Sequence, residues 1–355
     1  MRNARNARRR GVKAALSVAA LTLIVGVFVA GCGSSSDDSS SNNSSSSGGG
    51  GKIDVVGYST PESVYTETLE PAFEKTPAGK GVSFSNSFGA SGDQSRAVVA
   101  GQPASVVHFS QGGDMERLVE EGELVPPTWD EQSYGGIMTD SLVVILVEKG
   151  NPLGIKSFKD LEENDEAEVV TPNPFSSGSA RWNIMAVYGS AIEEGKSPDQ
   201  ALEAVKSVLE KTVAQPGSGR DAFSAFSQGE GNVLLTYENE AIKAEKEGED
   251  VEYVIPPATI QIETPAAVTK EGPEPASEEF IKFLWSQAGQ ELWAENGYRP
   301  VDQAALGAGK FPPLPKELFK ISKFGGWGKV NDEFFDEESG SVAKIESELG
   351  VSTSG

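Results

Sequence analysis

The sequence predicts an α/β protein with mostly parallel sheets, folded as two lobes that crossing strands join. Three observations point to this class. Short apolar segments alternate with segments that begin on helix-capping residues, and this βαβα order is typical of parallel sheets. The 355 residues exceed what one small core needs and fit two domains. Because 37% of the residues are hydrophobic, the chain can also bury substantial cores.

Five apolar segments are predicted as strands. The strongest is 142–147, in which six consecutive residues read Leu-Val-Val-Ile-Leu-Val, the pattern of a strand buried on both faces. The remaining four are shorter and follow the same logic. They are residues 53–57, 82–84, 105–109 and 233–235.

Capping residues mark the predicted helices. The predicted starts are Glu62, Asp114, Ser157, Ser197 and Ser277. The segments at Ser157 and Ser197 resemble capping boxes, because an Asp or a Gln follows three residues later, and a proline occupies the first helical position after Ser197. The first helix is expected to run to about residue 73, and Gly122 is expected to end the second. After Ser277 the apolar residues recur along one helical stripe.

The N-terminus has the features of a bacterial export signal. Six basic residues precede a largely apolar run over residues 14–30, which is short for a membrane-spanning helix of about 20 residues. The small residues Val-Ala-Gly then precede Cys32. This order resembles the bacterial lipobox, which implies a signal peptide over residues 1–31 and lipidation of Cys32. The alternative is a plain membrane anchor with an incidental cysteine.

Residues 32–51 are predicted to be the lipidated cysteine and a flexible tether, because residues 33–51 are Gly, Ser, Asn and Asp. A coil of this length reaches roughly 25 Å. The folded body is therefore expected just off the outer face of the cytoplasmic membrane. Without the signal, 24 basic residues face 53 acidic ones, a net charge of −29. This charge excludes nucleic acid as a partner, since a phosphate backbone needs a basic face.

The counts of cysteine and histidine exclude further classes. The chain has one Cys, so it has no internal disulfide framework and no site with several thiolates. Its one His argues against a His-rich zinc or iron centre. We therefore predict no metal and no cofactor.

Three turns rich in glycine and serine, at residues 88–94, 174–179 and 216–221, each lead into a predicted helix. Small residues let the backbone approach a ligand closely. A helix start offers unpaired N–H groups and a partial positive charge, which together make an anion site. None of the three matches the spacing of a nucleotide phosphate loop. Three such turns in one chain point to a small oxyanion as ligand.

At the second turn the sequence resembles the periplasmic sulfate-binding proteins, the receptors of sulfate/thiosulfate ABC importers. The resemblance covers nearly all of residues 53–340. Its motifs are Thr-Pro-Asn-Pro at 171–174, Ser-Gly-Ser-Ala-Arg-Trp-Asn at 177–183, Gly-Ala-Ser-Gly at 89–92, Lys-Gly-Asn-Pro at 149–152, Gly-Ser-Gly-Arg at 217–220, Tyr-Glu-Asn-Glu-Ala at 237–241, Tyr-Arg-Pro at 298–300 and Phe-Gly-Gly-Trp at 324–327.

The resemblance implies a two-lobe periplasmic binding protein fold of type II, with flanking helices and hinge strands that let the lobes close over dehydrated sulfate. We expect lobe 1 over residues 52–140 and 258–310, lobe 2 over 141–257, and a tail over 311–355 that packs across the lobes. The implied function is a monomeric, lipid-anchored extracytoplasmic receptor. It would bind sulfate or thiosulfate and deliver it to the permease subunits of an ABC importer, without catalysis.

The resemblance also implies which residues bind the ligand. They are Ser59, Ser91, Ser177, Gly178, Ser179, Gly219 and Tyr237. Arg181 and Arg220 would support the turns from behind. The chain departs from the family pattern in three places: Tyr237 stands where a Trp is usual, Ser59 where an Asp is usual, and Gly178-Ser179 where Gly-Gly is usual. Because a tyrosine hydroxyl can accept as well as donate, selectivity against protonated anions is expected to be looser.

Physical chemistry permits a site without a cation. Burying a dianion without partners would cost tens of kcal/mol. Roughly seven hydrogen bonds to a charged acceptor, at about 1.5–3 kcal/mol each, contribute on the order of 10–20 kcal/mol and can offset dehydration.

The sequence leaves two alternatives open. The same fold could bind phosphate or molybdate; monohydrogen phosphate needs an acceptor for its proton, for which Asp93 and Asp221 are the candidates. A secreted serine hydrolase would use His108 with Ser91 or Ser177, although no Gly-x-Ser-x-Gly elbow is present.

Overall fold

A computed structural model describes residues 50–272 and 275–353. The predicted signal peptide, Cys32 and nearly all of the predicted tether lie outside the described residues. Within these ranges, no helix combines the length and the apolar character that a membrane crossing requires.

The described strands and helices alternate along most of the chain. The strands are β1 (Gly51–Tyr58), β2 (Val82–Gly89), β3 (Val106–His108), β4 (Ile137–Glu148), β5 (Val169–Val170), β6 (Thr212–Ala214), β7 (Val233–Tyr237), β8 (Val251–Val254), β9 (Ala258–Val268), β10 (Arg299–Pro300) and β11 (Glu317–Phe319). The α-helices are α1 (Glu62–Val64), α2 (Glu70–Glu74), α3 (Ser91–Val99), α4 (Gly112–Glu120), α5 (Phe158–Glu163), α6 (Gly178–Glu193), α7 (Pro198–Glu210), α8 (Gly219–Ser227), α9 (Glu238–Glu247), α10 (Ala276–Trp285), α11 (Gln287–Glu295), α12 (Gly326–Val330) and α13 (Ser341–Glu348). A π-helical turn, Tyr65–Leu69, joins α1 to α2, and another, Asn331–Phe335, follows α12.

The strands are hydrogen-bonded in the order β2-β1-β3-β9-β4-β7-β5-β6. Strands β1, β2 and β3 are parallel to one another, as are β5, β6 and β7. Strand β9 runs antiparallel to β3, and β4 runs antiparallel to β9 and β7. The α/β class predicted from the βαβα order is confirmed.

The two longest strands, β4 and β9, connect the two parallel groups. Residues 266–268 of β9 pair with β3, residues 261–265 pair with β4, and residues 143–147 of β4 pair with β7. We call β1–β3 with α1–α4, α10 and α11 the first half, and β5–β7 with α5–α9 the second half. Two strands therefore cross from one half to the other, as expected for this fold.

Apolar cores cover both faces of the sheet in each half. In β4, Val143, Ile145 and Val147 belong to one core, whereas the alternate residues Leu142, Val144 and Leu146 belong to the core on the opposite face. Because successive side chains of a strand point to opposite faces, a strand covered on both sides needs an unbroken apolar run. The strand predicted over 142–147 is confirmed, and burial on both faces explains its unbroken apolar pattern.

The capping signals locate two helix starts well. Ser197 accepts from the backbone N–H of Gln200 at 3.3 Å, and the Gln200 side chain accepts from the Ser197 N–H at 2.9 Å, so the predicted capping box is confirmed. Ser157 caps α5 through the N–H of Asp160 at 3.2 Å. The Asp160 carboxylate, however, accepts from the N–H of Lys156, so the reciprocal half of that box is absent.

Two predicted starts are wrong: the cap predicted at Asp114 lies three residues earlier, and the helix predicted to open at Ser277 begins one residue earlier. Helix α4 begins at Gly112, and the side chain of Gln111 caps it by accepting from the Gly113 N–H at 2.7 Å. Asp114 lies inside the first turn of α4 and is buried, because it serves a tertiary contact described below. Helix α10 begins one residue before Ser277, after Pro275.

The C-terminal tail packs mainly against the second half. Strand β11 pairs with residues 258–260 of β9. Trp327, Val330, Phe335 and Val342 are buried in the core that also holds Trp182 of α6. The tail also touches the start of α4 in the first half.

Candidate functional site

The three glycine- and serine-rich turns meet where the two halves face each other. The Gly92 N–H, at the start of α3, donates to the carbonyl of Ser176 in the second turn at 3.0 Å. A Cβ placed on Gly219, at the start of α8, would lie 3.1 Å from the Ser179 Oγ in the first turn of α6. The starts of α3, α6 and α8 are therefore neighbours, although 128 positions separate Ser91 from Gly219 in the sequence.

The start of α6 is left without a side-chain cap. Ser177 occupies the N-cap position but makes no capping hydrogen bond. Its hydroxyl instead bonds that of Ser179 at 2.8 Å. Gly178 packs so closely that an added Cβ would lie 1.9 Å from the Ser110 Oγ. Because an uncapped helix start presents its N–H groups and a partial positive charge, this end of α6 suits an anion.

Ser91 has its hydroxyl committed to neighbours in the first half. The hydroxyl donates to the Asp114 carboxylate at 2.7 Å and accepts from the Ser110 N–H at 3.0 Å. Asp114 is also paired with Arg117 at 3.1 Å. Ala90, the N-cap of α3, carries no polar side chain, so the N–H groups at this helix start have no side-chain cap.

Arg220 ties the start of α8 to the loop after β1. Its backbone N–H donates to the Ser59 Oγ at 3.3 Å, and its guanidinium donates to the carbonyls of Ser59 and Thr60, each at 3.1 Å. This contact joins the two halves. Ser218 caps α8 through the N–H of Asp221 at 3.2 Å.

Arg181 holds the second turn from behind. Its Nε donates to the Pro174 carbonyl and its Nη1 to the Asn331 Oδ1, both at 2.8 Å. The guanidinium lies 5.0 Å from the centre of the Phe335 ring. Burial lowers the pKa of Arg181 to about 10, so the group still carries its charge at neutral pH.

Four buried hydroxyl groups beside these helix starts have no hydrogen-bond partner: those of Tyr58, Thr60, Ser110 and Tyr237. The rings of Tyr58 and Tyr237, at the ends of β1 and β7, lie 6.3 Å apart. A Cβ on Gly219 would come within 3.3 Å of the Thr60 methyl group. Burial raises the pKa of Tyr237, and the nearby Ser110 hydroxyl opposes part of that rise, as the hydroxyls of Thr60, Thr139 and Thr264 do for Tyr58. None of these neighbours forms a hydrogen bond with either tyrosine hydroxyl.

The two tyrosines are neutral donors. Burial is the main cause that raises the pKa of Tyr58 and of Tyr237 well above its ordinary value. Leaving a buried hydroxyl unsatisfied costs about 1–3 kcal/mol. Four such groups beside three helix starts therefore favour a ligand that accepts hydrogen bonds and carries negative charge.

Sequence reasoning missed Tyr58, Thr60 and Ser110. Tyr58 and Thr60 flank the predicted Ser59, so proximity along the chain was a usable signal. Ser110 follows a predicted strand but carries no motif. Only the approach of α6, through Gly178, brings its hydroxyl to the site.

The carboxylates considered as proton acceptors are engaged elsewhere. Asp93 pairs with Arg96 at 2.5 Å, and half of its side chain is exposed. Asp221 accepts from the Ser218 hydroxyl at 2.7 Å. Glu240, which the sequence did not single out, lies behind Gly219 and accepts from the Thr236 hydroxyl at 2.6 Å. Burial raises the pKa of Glu240.

His108 is a packed core residue. It is fully buried, and its two ring nitrogens bond the hydroxyls of Tyr65 and Thr264, each at 3.0 Å. Burial lowers its pKa to about 3, so the ring is neutral. Neither nitrogen bonds Ser91 or Ser177, so the pair that a serine hydrolase would need is not assembled.

Comparisons with known proteins show which proteins this chain is similar to. A family model described as bacterial extracellular solute-binding protein matches residues 53–299. The chain is 35% identical over 333 residues to the sulfate-binding protein of Synechococcus elongatus, covering 91% of this chain and 93% of that protein. It is 33% identical to the thiosulfate-binding protein of Pseudomonas aeruginosa, covering 79% and 88%. Among solved structures, the sulfate-binding protein SubI from Mycobacterium tuberculosis H37Rv is similar with a TM-score of 0.76 and 41% identity, over 80% of this chain and 99% of that one.

Proposed function

This chain belongs to the bacterial extracellular solute-binding proteins, and from that premise we propose that it binds sulfate or thiosulfate and delivers it to an ABC importer. The observation that carries the proposal is the group of unpartnered hydroxyls on Tyr58, Thr60, Ser110 and Tyr237 beside the starts of α3, α6 and α8. The names of the relatives, sulfate-binding and thiosulfate-binding proteins, support the same ligand class.

The donors in this site are neutral. Backbone N–H groups at Ser91, Gly178, Ser179 and Gly219 would join the hydroxyls around the ligand. Fixed dipoles of this kind need little reorganisation when the anion arrives, and hydrogen bonds to a charged acceptor contribute about 1.5–3 kcal/mol each. The guanidinium groups behind the turns donate to protein carbonyls, so they would hold the backbone in place without pairing with the ligand.

We also propose that the protein is not an enzyme, and the same arrangement supports this. A carrier must release its ligand unchanged, and a family of solute-binding proteins acts by binding. In the described residues, the hydroxyls of Ser91 and Ser177 bond Asp114 and Ser179 and have no histidine beside them. Neither serine is therefore activated as a nucleophile.

We place the receptor on the outer face of the cytoplasmic membrane. The proposal rests on the export signal over residues 1–31 and the lipobox-like residues before Cys32. The tether over 32–51 would leave the monomeric body free to meet the permease subunits. Lobes over 52–140 with 258–310 and over 141–257 would close about the crossing strands β4 and β9.

Calorimetric titration of the purified protein with sulfate, thiosulfate, phosphate and molybdate tests the ligand. We expect sulfate or thiosulfate to bind, and phosphate to bind far more weakly, because Asp93, Asp221 and Glu240 already accept hydrogen bonds from Arg96, Ser218 and Thr236. Binding of phosphate with no binding of sulfate would contradict the proposal. Turnover of an ester that disappears in Ser177→Ala would contradict the absence of catalysis.

A further inference from the structure

The C-terminal tail places two side chains, Trp327 and Asn331, beside the candidate site, where they contact α4 of the first half and, through Trp182 and Arg181, α6 of the second half. We propose that Trp182, Trp327 and Asn331 are positioning residues that hold the Ser110 loop against α6 and thereby slow ligand release. The ligand part of this inference rests on the proposed function, whereas the coupling between the tail and the Ser110 loop does not.

Trp182 fixes the Ser110 loop from the second half. Its indole N–H donates to the Ser110 carbonyl at 2.6 Å, and the side chain is fully buried. The backbone N–H of Ser110 is held as well, by the Ser91 hydroxyl at 3.0 Å. Because both backbone groups of Ser110 are bonded, its hydroxyl is kept at the site and is not consumed by a protein partner.

Trp327 backs Trp182 and reaches across to α4. The two indole rings pack edge to face, with centres 4.6 Å apart and planes at 86°. On its other side, Trp327 lies so near the start of α4 that a Cβ on Gly112 would be 3.3 Å from its Cδ1. One tail residue thus contacts α6 of the second half and α4 of the first.

Asn331 makes the second bridge. Its Oδ1 accepts from the Arg181 guanidinium at 2.8 Å. Its Nδ2 lies only 2.2 Å from the position that a Cβ on Gly113 would take, so this glycine is what lets the amide sit against α4. The Arg181 that it orients also holds the Pro174 carbonyl of the second turn at 2.8 Å.

These contacts need not touch the ligand. Each joins α6, or the turn before it, to the loop that begins α4. Any separation of the two halves must therefore break the bond from Trp182 to Ser110 or the contacts of the tail with α4. Loss of a bridge is expected to leave association nearly unchanged and to speed dissociation.

The experiment compares Asn331→Ala with Asp332→Ala, a matched control at the exposed neighbouring position. Hydrogen exchange without ligand is followed over residues 110–120, and sulfate association and dissociation are followed by stopped-flow tryptophan fluorescence. For Asn331→Ala we expect faster hydrogen exchange in that segment. Sulfate should dissociate about tenfold faster than from the wild-type protein, which corresponds to about 1.4 kcal/mol. The association rate should stay within about twofold of the wild-type rate. The control should match the wild-type protein. Trp327→Leu should behave like Asn331→Ala, and Trp327→Phe should restore slow dissociation, which a general loss of folding would not do.

The outcomes separate the two claims. Unchanged exchange over residues 110–120 in both Asn331→Ala and Trp327→Leu would overturn the inference, whatever the protein binds. Faster exchange with an unchanged dissociation rate would overturn the claim that these residues slow release. If the wild-type protein bound neither sulfate nor thiosulfate, the proposed function would fall, while faster exchange would still support the coupling.

Discussion

Gly178→Ala offers the most direct test of the candidate site. The added methyl group would lie 1.9 Å from the Ser110 Oγ, 3.1 Å from a Gln111 side-chain carbon and 3.3 Å from the Ser110 Cβ. Carbon and oxygen atoms that are not bonded cannot approach to 1.9 Å. Either the Ser110 hydroxyl rotates away from the site, or the start of α6 moves back by roughly 1.5 Å to restore ordinary contact.

The two responses set the expected loss of affinity. Rotation of Ser110 removes one hydrogen bond to a charged acceptor, which contributes about 1.5–3 kcal/mol and corresponds to roughly a 10- to 150-fold weaker affinity. Displacement of α6 also withdraws the N–H groups of Gly178 and Ser179, so the loss would be larger. The lower limit is therefore about tenfold.

The assay is calorimetric titration with sulfate, together with thermal unfolding to show that each variant is folded. Gly217→Ala is the matched control, because no atom lies within 4 Å of the added methyl group, and it should bind as the wild-type protein does. The double change Gly178→Ala with Ser110→Ala removes the closest clash and should bind no more weakly than Gly178→Ala alone. Wild-type affinity in Gly178→Ala would refute this placement of α6 and Ser110.

Three further predictions follow from buried polar groups. Tyr237→Phe removes a hydroxyl that has no protein partner. We therefore expect the free energy of unfolding without ligand to stay equal or rise by about 1 kcal/mol, and the affinity for sulfate to fall about tenfold or more. Lower stability together with full affinity would contradict this. His108 is the only histidine of the chain, and burial lowers its pKa to about 3. The NMR signals of its ring should therefore not move between pH 8 and pH 5. A titration with a pKa near 6.5 would show that the ring is not buried. Arg299→Met leaves the buried Glu238 without its bidentate partner and should cost about 3–5 kcal/mol of unfolding free energy at pH 7. Burial already raises the pKa of Glu238 while Arg299 opposes that rise, so the loss should shrink as the pH falls and Glu238 becomes protonated; a loss independent of pH would argue against this cause.

The sequence was most informative where local rules govern. The run over 142–147 is buried on both faces of a sheet, which requires an unbroken apolar pattern, and it lies within β4 as predicted. The capping box at Ser197 is formed by two residues three positions apart, so it can be recognised from the sequence without knowing the fold. The prediction that Asp114 caps α4 was wrong, because its carboxylate accepts a hydrogen bond from the distant Ser91 hydroxyl.

Some features of the candidate site could likewise be predicted from the sequence, and others could not. The glycine- and serine-rich turns before α3, α6 and α8 were visible as helix starts suited to an anion, and the structure brings them together. The hydroxyl of Ser110 was not visible, since it belongs to no motif, and that of Thr60 was indicated only by its place next to the predicted Ser59. Their importance lies in having no partner once buried, and burial is a property of the packed chain.

The sequence by itself determined the α/β class, the three helix starts and the excess of acidic charge, because each depends on residues close together in the chain or on composition alone. Only the tertiary structure decided which hydroxyls face the site, which carboxylates are engaged elsewhere and how the C-terminal tail reaches both halves. Those features depend on contacts between residues that are far apart in sequence, such as Trp182 with Ser110 and Arg181 with Asn331. The spacing of residues along the chain does not predict such contacts.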